Sequence, residues 1–342
     1  MDIQPLIPGI EKHLGTGIKS IEKVNSGASS RRYFLLHLDG ETYFPGNEVL
    51  VMVVPLPDIR ILLDYMNVDY YLRRMRIPTP RIFEVWEDAG IIFLEYIRWP
   101  RLDMFVQQHP EKMETALRKT MAFLQQMQQQ CLWENHCPAF HRRFDENKYR
   151  FEFRFHVKQQ LLEGFFGITF SPALEQQFKK LTDHISQWLD VETPTFVHRD
   201  FQSSNMFFEP HPGTAPLKII DFQDARHGLP VYDLVSLLWD SYIPVPVSLQ
   251  QTLMEEFFDY LKDTGINWSY EQYQRYIDYT IIQRKLHDAG AFAYNYHRFK
   301  SRHFLQYIPN TLEMVIRVLD KYPQFSALTE LLIYLNREKI RD

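Results

Sequence analysis

The sequence predicts an α+β chain with a small β-rich amino-terminal lobe followed by a large, mostly helical lobe. Two observations lead to this prediction. The first hundred residues contain four short β-like runs, separated by turn-forming stretches, and one segment of helical periodicity. After Trp99 and Pro100 the apolar pattern becomes mostly helical. We therefore predict a division into residues 1–97 and 98–342.

The amino-terminal lobe is predicted to be an antiparallel sheet that carries one long helix. Its strands are expected at 33–38, 49–54, 81–86 and 91–97. Apolar residues recur at helical spacing in 59–74, and the prolines of 78–80 end that helix.

The carboxy-terminal lobe is predicted to be helical, with one β-like interruption. Helices are expected at 113–131, 149–164, 172–189, 249–264, 271–293 and 311–321. The interruption consists of short runs at 195–197, 206–209 and 217–221. The sequence shows no internal repeat.

Composition places the chain among soluble globular proteins. Its 342 residues are 45% apolar and 24% charged, which is enough to bury a large core. A net charge of −5 gives no general attraction to nucleic acid or anionic membranes, so neither is expected as a partner. The spacing of Cys131 and Cys137 predicts neither a zinc site nor a disulfide framework. Because no signal peptide or apolar run of about 20 residues is visible, we expect a cytoplasmic protein.

The most informative residues lie in the β-like interruption. A His-Arg-Asp sequence at 198–200 is followed by Asn205, and a later apolar run ends in Asp221. This order is typical of kinase catalytic loops, where the aspartate takes the proton of the attacking hydroxyl and the asparagine ligates magnesium. Phosphoryl transfer needs hard oxygen ligands for the metal that neutralises the γ-phosphate. Such residues taken singly are also common in turns and caps, but their occurrence in this order favours kinase chemistry.

Around these residues the chain resembles the aminoglycoside phosphotransferase/choline kinase superfamily. The resemblance is carried by HRDFQSSN at 198–205, IDFQDA at 220–225 and YDLVSLL at 232–238. A bacterial branch, the N-acetylmuramate/N-acetylglucosamine anomeric sugar kinases, is also similar at SSRRYF (29–34) and at QRxLxxxGxF (283–292). The resemblance implies a bilobal protein-kinase-like fold, with ATP as co-substrate and Mg²⁺ as cofactor.

Carried over residue by residue, the resemblance makes Asp200 the catalytic base and makes Asn205 and Asp221 the magnesium ligands. Asp233 stands at the start of an apolar helix and would brace the catalytic loop, a role compatible with helix capping. His198 is likewise expected to be structural, since it braces the loop backbone rather than ligating metal.

The phosphate-anchoring lysine of ordinary kinases is missing. No lysine lies between residues 24 and 111, and the predicted helix 59–74 has no glutamate, so both members of the usual ion pair are absent. The resembling branch also lacks this lysine. Arg31 and Arg32 follow a loop of small residues, including Ser29, that lets backbone amides approach phosphate. Because side chains alternate along a strand, one of the two arginines is expected to reach the nucleotide.

Further contacts are predicted for the nucleotide and the acceptor. Glu95 and Ile97 end the β lobe where a hinge would carry adenine through backbone hydrogen bonds, although an ordinary strand end has the same pattern. The candidates for substrate binding are Gln202, Asp224, Asp240 and Arg284. Asp224 has three interpretations: a second metal ligand, a sugar contact or a solvated carboxylate.

The leading hypothesis is an ATP- and Mg²⁺-dependent small-molecule kinase. The resemblance implies transfer to the anomeric hydroxyl of an N-acetylated amino sugar, in cell-wall recycling or in supply of a sugar 1-phosphate to a nucleotidyltransferase. One alternative keeps the chemistry with another acceptor, such as an aminoglycoside, choline or an amino-acid hydroxyl. A second alternative is a catalytically silent pseudokinase that binds nucleotide, which the missing lysine and glutamate motivate.

Overall fold

A computed structural model describes residues 3–24, 30–40, 42–209 and 217–338. The chain forms two compact units. Unit 1 comprises Met1–Pro100, His136–Pro138 and Met206–Asp224, and unit 2 comprises Arg101–Asn135, Ala139–Asn205 and Ala225–Asp342. Unit 1 thus includes 206–224, which the predicted division places with the helical lobe, and the division into domains at residue 97 stays a prediction. The α+β class is confirmed, because an antiparallel sheet lies in the amino-terminal part and the remainder is mostly helical.

The described residues form nine strands: β1 (Ile18–Val24), β2 (Arg32–Leu38), β3 (Glu48–Val53), β4 (Ile82–Trp86), β5 (Ile91–Leu94), β6 (Thr195–Val197), β7 (Met206–Phe208), β8 (Leu217–Ile219) and β9 (Arg226–Gly228). The first five make an antiparallel sheet in the order β1-β2-β3-β5-β4. The strand β1 is absent from the prediction because its apolar residues, Ile18, Ile21 and Val24, recur every third position. As an edge strand it needs no strict alternation to reach its partner.

One face of the sheet is packed by the amino-terminal helix α1 (Ile7–Leu14). Ile10 of this helix and the preceding Ile3 join the alternate residues of β2, β3 and β5 in one hydrophobic cluster. The period of two along each strand produces this buried face. Proline and glycine at positions 8 and 9 weaken the helical pattern of α1, so sequence analysis does not find it.

Two further elements of unit 1 position its polar residues. Helix α2 (Ile59–Arg74) has the predicted bounds, and its Asp69 accepts hydrogen bonds from Arg73 (2.7 Å) and Thr79 (2.5 Å). The strands β7 and β8 pair with each other, and the amide of Ile219 donates to the carbonyl of Pro78 at 3.1 Å. This pairing carries the chain directly to Asp221.

Unit 2 is helical apart from the antiparallel pair β6–β9. Its helices are α3 (Leu102–Gln108), α4 (Met113–Gln130), α5 (Glu146–Glu152), α6 (Pro172–Leu189), α7 (Tyr232–Leu238), α8 (Val247–Asp263), α9 (Tyr270–Phe299), α10 (Ile308–Leu319) and α11 (Ser326–Glu338). A π-helix, Phe153–Phe165, continues α5. Across the part of the chain that the structure describes, no helix has the length and apolarity that a membrane crossing requires.

The 30-residue helix α9 is the central element of unit 2. It begins with a capping box in which the Ser269 and Gln272 side chains bond each other's backbone amides. Gly290 allows the π-helix to approach, because a Cβ atom at this position would lie 2.1 Å from the backbone oxygen of His156. Several polar residues in the middle of α9 are buried: Gln283, Arg284, Lys285, His287 and Asp288.

Candidate active site

The segment 198–205 follows β6 in unit 2, and Asp233 of α7 holds its first turn. The buried Asp233 carboxylate accepts hydrogen bonds from the backbone amides of His198 (2.7 Å) and Arg199 (3.0 Å). Arg199 has a φ of 80°, a strained conformation for a residue with a side chain, and these bonds stabilise it. Burial raises the pKa of Asp233 to about 7, against the lowering effect of the two amides. Asp233 thus contacts the start of this segment, and its role in bracing a catalytic loop stays a prediction.

Asp200, the predicted base, lies between a buried cation and solvent. Its Oδ1 accepts a hydrogen bond from Nη2 of Arg284 at 3.0 Å. The Asp200 side chain is 27% exposed, whereas that of Arg284 is 1% exposed. The buried Arg284 guanidinium therefore holds the Asp200 carboxylate, which remains accessible to other molecules.

The backbone of Asp200 organises the rest of the loop. Its carbonyl accepts hydrogen bonds from the amide of Gln202 (2.8 Å) and from Nδ2 of Asn205 (2.9 Å). Because Nδ2 of Asn205 donates this bond, the Oδ1 atom of the same amide group is not used in it. Gln202 is buried and also accepts from the amide of Asn205 through its own carbonyl. The predicted contact of Gln202 with substrate stays a prediction.

Asp240 lies beside the later part of the loop. It is 1% exposed, and its two carboxylate oxygens accept from the amides of Ser203 (2.6 Å) and Tyr242 (2.7 Å). Burial raises the pKa of Asp240, while these two amides act to lower it. The structure thus places Asp240 against backbone, and its predicted contact with a sugar stays a prediction.

Glu152 forms a second buried charge cluster, which sequence analysis does not find. Its side chain contacts Arg199 (3.1 Å), Lys148 (3.1 Å) and Gln283 (2.8 Å). Burial alone would raise the pKa of Glu152, but His287, Arg199 and Lys148 hold it well below the usual range. Glu152 lies 47 residues before Arg199 in the chain, so no local motif links them.

The remaining catalytic candidates belong to unit 1. Nη2 of Arg31 contacts Oδ1 of Asp221 at 2.5 Å, and Nη1 donates to Oε1 of Gln223 at 2.9 Å. Gln223 in turn donates to Asp221 at 2.9 Å. Burial acts to lower the pKa of Arg31, but Asp221 raises it above its usual value, so the guanidinium stays charged. The negative charge of Asp224 also acts to raise the pKa of Arg31.

The two arginines take different environments, although Arg31 lies just before β2, so strand alternation does not relate them, and which of them reaches the nucleotide stays a prediction. Arg31 is 8% exposed and directed at Asp221, whereas Arg32 donates to the backbone carbonyl of Arg31. Met52 of β3 lies opposite Tyr33 and is fully buried, and no lysine is present on that strand. Arg31 is thus the buried cation beside Asp221.

The other nucleotide candidates lie at the end of the sheet. Glu95 accepts from the amide of Arg81 at 3.0 Å and pairs with Lys218. Ile97 is buried, and Ser29 lies outside the described residues. The adenine contacts of Glu95 and Ile97 stay predictions.

Comparisons with known proteins identify the family of the chain. The profile described as "Phosphotransferase enzyme family" matches residues 20–268. The chain is 26% identical over 313 residues to an N-acetylmuramate/N-acetylglucosamine kinase of Neisseria meningitidis serogroup B, covering 90% of this chain and 88% of that protein. It is 27% identical over 319 residues to a protein of the same name from Pseudomonas aeruginosa, covering 91% of this chain and 87% of that protein.

Solved structures show the same fold. Choline kinase LicA from Streptococcus pneumoniae superposes with a TM-score of 0.62 at 15% identity, covering 93% of this chain and 99% of that one. The gentamicin complex of the phosphotransferase APH(2")-IIa gives a TM-score of 0.62 at 16% identity, covering 92% and 96%. The predicted superfamily is confirmed, and the chain belongs to the phosphotransferase enzyme family.

Proposed function

We propose that this enzyme is an ATP- and Mg²⁺-dependent kinase that phosphorylates the anomeric hydroxyl of an N-acetylated amino sugar. The observation that carries the proposal is the arrangement of Asp200, whose partly exposed carboxylate is held by a buried arginine within an ordered catalytic loop. The acceptor class comes from the relatives, since the two described above are both named N-acetylmuramate/N-acetylglucosamine kinase.

In the proposed reaction, Asp200 orients the acceptor hydroxyl and accepts its proton. The hydroxyl oxygen forms a bond to the γ-phosphorus of ATP while the bond from that phosphorus to the β,γ-bridging oxygen breaks, and ADP leaves. Catalysis in this class consists mainly of positioning and charge neutralisation. An anomeric hydroxyl is more acidic than an ordinary alcohol, so a weak carboxylate base is sufficient.

Asn205 and Asp221 are the proposed magnesium ligands, and their chemistry fits a hard cation. Asn205 bonds the Asp200 carbonyl through Nδ2, which leaves its Oδ1 out of that bond, and Asp221 supplies a carboxylate. Mg²⁺ prefers such oxygen ligands together with phosphate oxygens. When bound, the metal would neutralise charge on the transferred phosphoryl group.

Arg31 is the proposed substitute for the missing lysine. Its charge is held beside Asp221, and an arginine can donate two hydrogen bonds to a phosphate. If Asp221 binds the metal, the 2.5 Å contact with Arg31 has to be exchanged for contacts with metal and phosphate. Arg32, Ser29, Glu95 and Ile97 remain further nucleotide candidates, and Asp224 remains a candidate for metal or sugar.

The same proposal places the enzyme in the cytoplasm, where ATP is available. A sugar 1-phosphate product is the kind of substrate that a nucleotidyltransferase consumes, so we propose such an enzyme as the next in sequence. Neither nucleic acid nor a membrane is expected as a partner, since the net charge is −5.

The test is magnesium-ATP consumption against N-acetylglucosamine, N-acetylmuramate, glucose, choline and kanamycin. We expect turnover with an N-acetylated amino sugar, and phosphorus NMR should place the phosphate on the anomeric oxygen. Asp200→Asn should lower kcat by about 10²- to 10⁴-fold, the range for a lost general base. The control Asp259→Asn alters an exposed carboxylate that pairs with Lys262, and it should leave turnover unchanged.

Each other outcome contradicts a defined part of the proposal. Turnover with kanamycin or choline alone would keep the phosphotransferase chemistry and reject the amino sugar as acceptor. Nucleotide binding without turnover on any acceptor would favour the silent pseudokinase. An Asp200→Asn variant with full activity would remove Asp200 from the role of base.

A further inference from the structure

The motif around Arg284 predicts a contact with substrate, but the surroundings of this side chain in unit 2 indicate a different role. We propose that Arg284 is a positioning residue, which fixes the orientation of the Asp200 carboxylate and does not bind the acceptor. This inference rests on the proposed function of Asp200 as the base. It deepens that function by naming what holds the base in place.

The burial of Arg284 is the first argument. Its side chain is 1% exposed, so an acceptor sugar has almost no access to it. Its Nη2 atom lies 3.0 Å from Oδ1 of Asp200 and 3.2 Å from Oδ1 of Asp288. One nitrogen is therefore shared between a partly exposed carboxylate and a buried one.

Asp288 supplies the fixed end of this arrangement. It follows Arg284 by one helical turn on α9 and is buried. Burial alone would raise the pKa of Asp288, but Arg284 and Lys285 hold it well below the usual range. Its Oδ2 contacts Nζ of Lys285 at 2.5 Å. A charged Asp288 thus anchors Arg284 from within its own helix, where backbone geometry sets the spacing.

The neighbouring residue, Lys285, leads to the other end of the catalytic loop. Its Nζ donates to Oγ of Ser241 at 3.2 Å and acts electrostatically on Asp240. Asp240 accepts from the amide of Ser203 at 2.6 Å. Consecutive residues of α9 therefore support the loop at Asp200 and, through Asp240, at Ser203.

The helix that carries these charges is itself firmly held. It starts with a capping box, and at Gly290 its backbone meets the π-helix. Charges placed on such an element move little, which is what a positioning residue requires. A flexible surface arginine would pay more side-chain entropy for the same bond.

Steady-state kinetics distinguish positioning from substrate binding. Loss of a positioning residue lowers kcat and leaves the acceptor KM unchanged, whereas loss of a substrate ligand raises KM. We expect Arg284→Met to lower kcat by about 10- to 100-fold, the scale of a base displaced by about 1 Å. Arg284→Lys keeps the charge and should recover part of the loss. The control Arg275→Met lies on the same helix in an exposed pair with Glu271 and should match wild type.

A double-mutant cycle tests the contact without any activity. Urea unfolding of the full chain would be measured for Arg284→Met, Asp200→Asn and the double variant. Because Arg284→Met leaves two neighbouring carboxylates without their shared cation, Asp200→Asn should relieve part of its cost. The double variant should then be more stable than the sum of the single effects. If Arg284→Met does not fold, Arg284→Gln, which also removes the charge but keeps a hydrogen-bond donor, takes its place in the cycle.

The outcomes separate this inference from the proposed function. Additive unfolding effects, or a raised acceptor KM with unchanged kcat, would overturn the positioning role even if the enzyme phosphorylates an amino sugar. If wild type phosphorylates no amino sugar, the proposed function fails, while non-additive unfolding would still support the Arg284–Asp200 contact.

Discussion

The two units hold the ion-paired carboxylates of the candidate site by different means. In unit 2, Asp200 and Asp288 share Arg284, and Glu152 contacts Arg199, Lys148 and Gln283. The basic members come from α5, α9 and the loop itself. In unit 1, Asp221 contacts Arg31, from the residue just before β2, and Gln223, two positions along the chain.

This difference separates permanent charges from exchangeable ones. The charges of unit 2 are buried inside a helical frame, and removing one partner would leave another uncompensated, which is costly. The Asp221 side chain is 32% exposed, and in the proposed function its contact with Arg31 would be exchanged for contacts with a metal and a phosphate. The buried pairs of unit 2 fix geometry, as does buried Asp69 with Arg73 and Thr79 in unit 1, whereas the Arg31–Asp221 pair is partly open to solvent.

Glu152→Gln tests the permanent charges and should have the largest effect on stability. The change leaves Arg199 and Lys148 without their buried carboxylate, and breaking a buried pair costs about 3–5 kcal/mol. Urea unfolding measures the loss. The control Glu271→Gln removes an exposed partner of Arg275 and should change stability little. Equal losses of unfolding free energy in the two variants would show that the buried cluster contributes no more stability than an exposed ion pair.

Arg31→Met tests the exchangeable pair. We expect the KM for ATP to rise by about 10- to 100-fold, because a hydrogen bond to a charged group contributes about 1.5–3 kcal/mol. The KM for the acceptor should stay constant. Arg32→Met is the matched control, since that side chain donates to a backbone carbonyl, and it should have a smaller effect. An unchanged KM for ATP in Arg31→Met would reject Arg31 as the phosphate anchor.

Gly290→Ala tests whether the frame that carries the permanent charges depends on close packing. The new Cβ atom would lie 2.1 Å from the backbone oxygen of His156, so the π-helix or α9 has to shift. Overpacking of this kind costs about 1–3 kcal/mol, and kcat should fall with it. Gly9→Ala has open space around it in α1 and should be neutral or stabilising. Wild-type stability of Gly290→Ala would contradict the close approach.

The pH dependence of stability should show the smallest change. Glu152 and Asp288 have lowered pKa values in the folded chain, so the stability they contribute is present above their unfolded values and is lost as pH falls. Asp233 acts oppositely, because its pKa is raised to about 7 and its contribution is lost as pH rises through that value. Thermal unfolding below about pH 4.5 should therefore shift less in Glu152→Gln than in wild type.

Much of the fold is predictable from the sequence where the period of the pattern is strong. Strands β2 and β3 and helices α2, α4 and α6 lie close to their expected positions. In each of them the apolar residues recur with the period of a strand or a helix, because one face is buried. The strand β1 and helix α1 are exceptions, because three-residue spacing and a Pro-Gly pair hide them. The π-helix is expected as an ordinary helix, because apolar spacing does not report hydrogen-bond register.

In the candidate site, too, some residues can be identified from a local motif, whereas the contacts of others depend on the folded chain. Asp200, Asn205 and Asp221 are identified from a local motif, because a catalytic loop needs its residue types at short, fixed spacing. The hydrogen bond from Ser203 to Asp240 and the ion pair of Arg284 with Asp200 are not visible in the sequence, and the sugar contacts expected of Asp240 and Arg284 stay predictions. Burial depends on what other segments cover, which a single stretch of sequence does not record.

The sequence by itself determined the fold class and the superfamily and supplied the candidate catalytic-loop residues, because these depend on periodicity and on motifs a few residues long. Only the tertiary structure decided that Arg31 meets Asp221, 190 residues away, and that Arg284 meets Asp200, 84 residues away. It also brought Glu152 to Arg199. The physical reason is that an ion pair has a large effect only when its partners are desolvated together, and that environment exists only after folding.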